Sequence, residues 1–119
     1  MGEFDASRMR QFTQAARDKG WRRVVQERML DEDPNARTVL LSPSWTSFID
    51  LLEPDTKYSI LDLGAGMGRI SQQLAKSFKK VYALDLTFER LAFLEVVTEQ
   101  ENVNGICTLC HRDVYNLSF

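Results

Sequence analysis

The sequence predicts an α/β fold in which helices come first and a parallel sheet with alternating helices follows. Three observations carry that expectation. Apolar residues recur at helical spacing through the first half of the chain. From Lys57 onward the pattern changes to short apolar runs that alternate with helical stripes. The first of those runs empties into Gly64-Ala65-Gly66-Met67-Gly68, a glycine-rich turn that leads into the next helix.

The opening segment, Phe4 to Leu30, reads as two helical stretches. Met9, Phe12 and Ala16 share one face, Gly20 is a stop, and Trp21, Val24, Val25 and Met29 resume the pattern. The polar run Asp31 to Asn35 breaks it. A third helix is signalled by Ser42 as N-cap, Pro43 at the first helical position and Trp45, Phe48, Ile49 and Leu52 at i, i+3, i+4, i+7; Pro54 closes it. Then "YSILDLG" reads as a strand and "MGRISQQLAKSF" as a helix with Ile70, Leu74 and Phe78 on one stripe. "KVYALDL" is a second strand. "TFERLAFLEVVTEQ" is a helix capped by Thr87 with Leu91, Leu94 and Val97 facing inward, and "GICTLCHRDVYNL" holds a third strand. A β-α-β-α-β order with connections this short implies parallel strands and right-handed crossovers. Two units follow from the switch in period: a helical segment over 1–56 and a sheet-forming segment over 57–119.

Bulk properties narrow the functional classes. Hydrophobic residues make up 44% of the 119 and charged residues 27%, ordinary for a globular domain with a real core. The net charge of -2 argues against general nucleic-acid binding, which shows as a basic excess. Arg8, Arg10, Arg17, Lys19, Arg22, Arg23 and Arg28 do crowd the first thirty residues, and read as a solvated helix face. No apolar run approaches the ~20 residues of a membrane helix, and the start "MGEFDASRMR" lacks a signal-peptide hydrophobic region. Two cysteines make no disulfide framework, so the expected compartment is a reducing cytoplasm.

The glycines ask for a ligand. Where a strand passes into a helix, the first amides have no internal partner, and a side chain in the turn would hold a ligand away from them. The spacing is G-x-G-x-G, whereas the dinucleotide fingerprint is G-x-G-x-x-G. Arg69 stands where the third dinucleotide glycine would fall. Asp62 precedes the turn. Asp85 ends the second strand about 20 residues after Gly64, where an acid can accept both hydroxyls of a ribose. Asp113 falls near the end of the third strand, so three acids share one rim of the sheet. A rim this acidic suits a cofactor without a pyrophosphate.

At these residues the chain resembles the class I S-adenosylmethionine-dependent methyltransferases. "ILDLGAGMGRIS" is similar to their first motif, "VYALDLT" to the acidic second, and "CHRDVYNL" to the segment that holds the adenine. The resemblance implies a Rossmann-like sheet of order 3-2-1 and S-adenosyl-L-methionine as cofactor. By position, it implies that Gly64, Ala65 and Gly66 pass close to the methionine part, with Asp62 supporting that turn or the cofactor's amino group. Asp85 would hold the ribose, Leu86 would pack on the adenine, Asp113 would accept from its amino group, and the Val114 amide would meet a ring nitrogen.

In the order 3-2-1, "YSILDLG" is an edge strand, which invites pairing with a second copy or a partner chain. The resembled fold has seven strands, so the sequence reads as a partial Rossmann-like domain: the N-terminal, cofactor-binding part of a methyltransferase, shortened or one piece of a split enzyme, and inactive alone. Methyl transfer needs orientation more than a base, and no residue is assigned as catalytic. "CTLCH" is not read as a metal site, because strand residues three apart point to opposite faces, and His111 reads as a surface or satisfied strand residue. Two competing readings stand beside this one: a non-catalytic module that keeps the fold for interaction, and half of a nicotinamide-binding oxidoreductase, disfavoured by the glycine spacing.

Overall fold

The computed structural model describes residues 5–28, 41 and 43–113. Helix α1 (Ala6–Lys19) is capped by Asp5, whose Oδ1 accepts from the Arg8 amide at 3.1 Å. Gly20, at φ 96°, ends it and returns its N–H to the Ala16 carbonyl. Helix α2 (Trp21–Arg28) starts at once. The expected Ser42 cap and Met29 lie outside the described residues.

The third helical signal forms, but not as an α-helix. Pro43–Leu52 is a 3-10 helix, η1. Three residues per turn, rather than 3.6, split the expected stripe into two rows, 48 with 51 and 49 with 52. Ile49 is buried, whereas Phe48, Leu51 and Leu52 are exposed.

Strands β1 (Ser59–Leu63), β2 (Lys80–Asp85) and β3 (Cys107–His111) form a parallel sheet with β2 in the middle, the predicted order. Helices α3 (Arg69–Leu74) and α4 (Phe88–Gln100) are the crossovers. Because side chains alternate between faces, the register puts Ile60, Val81 and Cys107 on one face, with Asp62, Ala83 and Leu109 beside them. That face packs on Leu74, Phe78, Leu91, Leu94 and Val103. Burial there pushes the Cys107 thiol up to about 11. The opposite face carries Leu61, Tyr82, Thr108 and Cys110, which line a hollow of about 600 Å³. Cys107 and Cys110 therefore face opposite ways.

Helices α1 and α2 pack on the outer side of α4, burying Met9, Phe12, Ala16, Trp21, Val24 and Val25 against Phe93, Val96 and Val97. Arg8, Arg10, Arg17, Lys19, Arg22 and Arg23 are exposed, as expected of a solvated face, and three of them also reach acidic residues of α4 and its C-cap. Arg10 pairs with Glu89 at 3.4 Å, Arg17 with Glu99 at 3.5 Å, and Arg22 with Glu101 at 2.7 Å. Exposed pairs of this kind contribute little to stability. They fix how the helices are oriented, while apolar burial holds them. Among the described residues no helix is long and apolar enough to cross a membrane.

Gly68, the N-cap of α3, lies against Leu94 of α4. Its φ is 90°, and a Cβ added there would stand 1.9 Å from Leu94 Cδ1 and 3.0 Å from Leu94 Cγ. Leu94 is fully buried, so its side chain must repack within the core to admit one. Gly68→Ala is expected to destabilise the fold by about 2–4 kcal/mol, the sum of left-handed strain and overpacking. Gly105, where an added Cβ meets nothing within 4 Å, is the control. Urea unfolding midpoints of Gly68→Ala and Gly105→Ala check this, with the second expected to stay near wild type.

Candidate functional site

The site is built where β1 and β2 end. After Leu63 the chain turns through Gly64 (φ 71°) and Gly66 (φ 58°), a left-handed backbone that side chains disfavour. The Ala65 amide donates to the Leu84 carbonyl at 2.9 Å, so the turn is pinned to the end of β2. The Gly68 amide then donates to the Ala65 carbonyl at 3.1 Å and the chain enters α3. A Cβ placed on Gly64 or Gly66 would meet nothing within 4 Å among the described residues. Within that part of the structure these two glycines front open space, unlike Gly68, which is filled from behind. Helix α3 is only six residues long, so the local turn and the rim acids, not a long helix dipole, give the seat its character.

Asp85 ties the two crossovers together. Its Oδ2 accepts from the Gly66 amide and its Oδ1 from the Thr87 amide, both at 2.8 Å. The residue is 7% exposed, and the two charge-assisted bonds compensate for that burial. Each carboxylate oxygen has two lone pairs, so acceptor capacity is left on both.

Asp62 points to the helix. Ser71 Oγ–H donates to Asp62 Oδ2 at 2.5 Å, and Ser71 is fully buried. Burial raises the Asp62 pKa above its ordinary 3.8; the Ser71 bond pulls it back, and the nearby Asp85 charge adds to the rise. Of the two roles open to Asp62 in the sequence, support of the turn is the one with a visible contact.

Leu86, one residue past β2, is 67% exposed. Asp113 lies two residues past the end of β3, partly buried, on the same rim as Asp62 and Asp85 because the strands are parallel. Val114 lies outside the described residues. Three participants were not anticipated: Ser71, the Thr87 amide, and His111, whose ring Nε2 sits 2.7 Å from the Leu86 carbonyl. Thr87 is the N-cap of α4, as predicted, but its side chain makes no capping bond; its amide donates instead to Asp85 Oδ1.

A family model described as a methyltransferase domain matches residues 61–119. The fold is similar to an S-adenosylmethionine-dependent methyltransferase from Clostridium acetobutylicum: 25% identity over 73% of this chain and 36% of that one, TM-score 0.60. It is also similar to the precorrin 8W decarboxylase of Methanobacterium thermoautotrophicum, with 26% identity over 60% and 39% and a TM-score of 0.56. An RNA methyltransferase from Salinibacter ruber, solved in complex with S-adenosyl-L-homocysteine, shares the fold at 17% identity over 64% and 50%, TM-score 0.59. The chain thus spans half or less of the length of these structures. No curated protein matches the sequence.

The Asp62 shift has a sign that experiment can read. A carboxyl whose pKa is raised by folding supports the fold fully below its ordinary 3.8, and that support is lost as pH rises through the folded value. Asp62→Asn keeps an acceptor for Ser71 and removes the charge. The melting temperature of Asp62→Asn minus that of wild type is expected to be smallest at pH 4 and to grow more positive toward pH 7. A difference that shrinks over that range would reverse the assignment.

Proposed function

We propose that the chain, whose residues 61–119 match the methyltransferase-domain family model, is the cofactor-binding part of an S-adenosylmethionine-dependent methyltransferase. The observation that carries the reading is the turn itself. Among the described residues nothing meets the outer side of Gly64 and Gly66, whose bare backbone lies at the carboxyl ends of parallel strands with the Asp85 carboxylate fixed beside it. That is where open α/β sheets take ligands. The S-adenosyl-L-homocysteine complex of the Salinibacter ruber relative supports the choice of cofactor.

The residues fit such a ligand. The Gly64-Ala65-Gly66 backbone would lie along the methionine part, because nothing on those glycines blocks a close approach. Asp62 acts behind them, holding α3 through Ser71 so that the turn keeps its shape. Asp85 has lone pairs left for ribose hydroxyls after accepting from Gly66 and Thr87. The exposed Leu86 side chain offers an apolar wall to the adenine, and Asp113 an acceptor for its amino group. Val114 belongs to the same reading through its amide. When bound, the cofactor supplies an activated methyl group; the protein's part is to hold that group in one orientation and shield it from water.

Isothermal titration tests the reading. S-adenosyl-L-homocysteine is expected to bind saturably, one per chain, and NAD not to bind. Asp85→Asn, folded by circular dichroism, should weaken binding on the order of tenfold or more, since one oxygen of a charged acceptor is replaced by a donor. NAD binding in place of S-adenosyl-L-homocysteine, or an affinity indifferent to Asp85→Asn, would refute it.

A further inference from the structure

We propose that His111 is a positioning residue that braces the adenine wall of the cofactor seat by holding the backbone of Leu86. The inference rests on the cofactor reading above and adds to it a residue that touches no reacting atom. Leu86 has left β2 and its side chain is 67% exposed, so among the described residues neither a strand partner nor core packing fixes it. A wall residue that stands in solvent positions a ligand only if its backbone is held from elsewhere. Around Leu86 that holding is visible. On one side Thr87 donates to Asp85 Oδ1, and Arg112 donates its amide to the Asp85 carbonyl at 3.2 Å. On the other, His111 Nε2 lies 2.7 Å from the Leu86 carbonyl.

A carbonyl oxygen only accepts, so Nε2 carries the proton, and a neutral His111 is fixed as the Nε2–H tautomer. The ring itself does not swing freely. Phe88 meets it edge-on, with centroids 5.8 Å apart and planes at 63°. His111 is the last residue of β3, in register with Asp85, so its backbone is part of the sheet while its ring reaches across to the loop after β2. Three consecutive residues, Asp85, Leu86 and Thr87, are thereby held by the end of the neighbouring strand and by each other. The bare alternative is an exposed histidine that happens to touch a carbonyl; in that case its removal leaves ligand binding alone.

The two are separated by rescue. His111→Ala removes the donor. His111→Gln places an amide Nε2–H at similar reach. Measured by isothermal titration with S-adenosyl-L-homocysteine, His111→Ala is expected to weaken binding about three- to tenfold, the range for losing one ordering hydrogen bond, and His111→Gln to stay within about twofold of wild type. An alanine variant that binds as wild type does overturns the proposal, and so does a glutamine variant as weak as the alanine. Wild-type protein that does not bind S-adenosyl-L-homocysteine instead overturns the cofactor reading on which the proposal stands. Should His111→Ala fail to fold, imidazole ¹⁵N resonances of the wild-type protein decide. The Nε2–H tautomer, with ring signals that move as S-adenosyl-L-homocysteine saturates, supports the brace; an Nδ1–H tautomer, or ring signals that stay put at saturation, ends it.

Discussion

The arrangement turns on one buried carboxylate. Asp85 accepts from the amides of Gly66 and Thr87, and these belong to different crossovers: one opens α3, the other α4. A charge placed there without partners would be costly to bury; with two amides aimed at it, the same charge becomes the joint of the fold's upper rim. The glycine turn supplies the complementary half. Only a backbone that tolerates positive φ at Gly64 and Gly66 can bring the Gly66 N–H around to Asp85 while leaving the outer side of the turn bare. Asp62 and Ser71 hold the turn from β1, His111 holds the loop from β3, and all three strands converge on the same few residues.

Below the rim, the fold is held by apolar burial on one face of the sheet. Val81 and Ala83 of the central strand lie under Leu74, Leu91 and Leu94, and α4 is packed on its other side by α1 and α2. The ion pairs between the basic N-terminal helices and α4 orient that second layer. All-parallel sheets ordinarily have both faces covered, so the hollow over Leu61, Tyr82, Thr108 and Cys110 is the less usual side of the described structure. Gln72 is another departure: it is fully buried, and among the described residues neither of its amide atoms finds a partner, which carries a desolvation cost of about 1–3 kcal/mol.

The sequence was most legible where a single physical rule governed. The alternation of strand and helix from Lys57, the parallel order and the placement of Asp62, Asp85 and Asp113 on one rim follow from period and direction alone, and the structure has them. The site's wiring was less visible. Ser71 and Gln72 are polar residues next to the expected Ile70–Leu74 stripe, and nothing in the spacing says that a six-residue helix will turn both fully inward. Asp85 is readable as an acid at the mouth of the crossovers, but not as the acceptor for the Gly66 and Thr87 amides, because a contact to a backbone N–H has no signature in sequence. The helix from Pro43 differs in kind from the expected one: the i, i+3, i+4 signal assumes 3.6 residues per turn, and η1 has three. His111 is the surface, satisfied strand residue its sequence position suggests, but its partner, a backbone carbonyl, has no signature in sequence.

The most direct test of the central claim follows backbone amides by ¹⁵N–¹H NMR while S-adenosyl-L-homocysteine is added. If the Asp85 joint frames the cofactor's seat, the amides of residues 64–68 and 86–88 shift together and saturate at one ligand per chain. If the largest shifts fall instead on the open sheet face around Leu61 and Tyr82, or no amide near Asp85 moves at saturating ligand, the account is wrong.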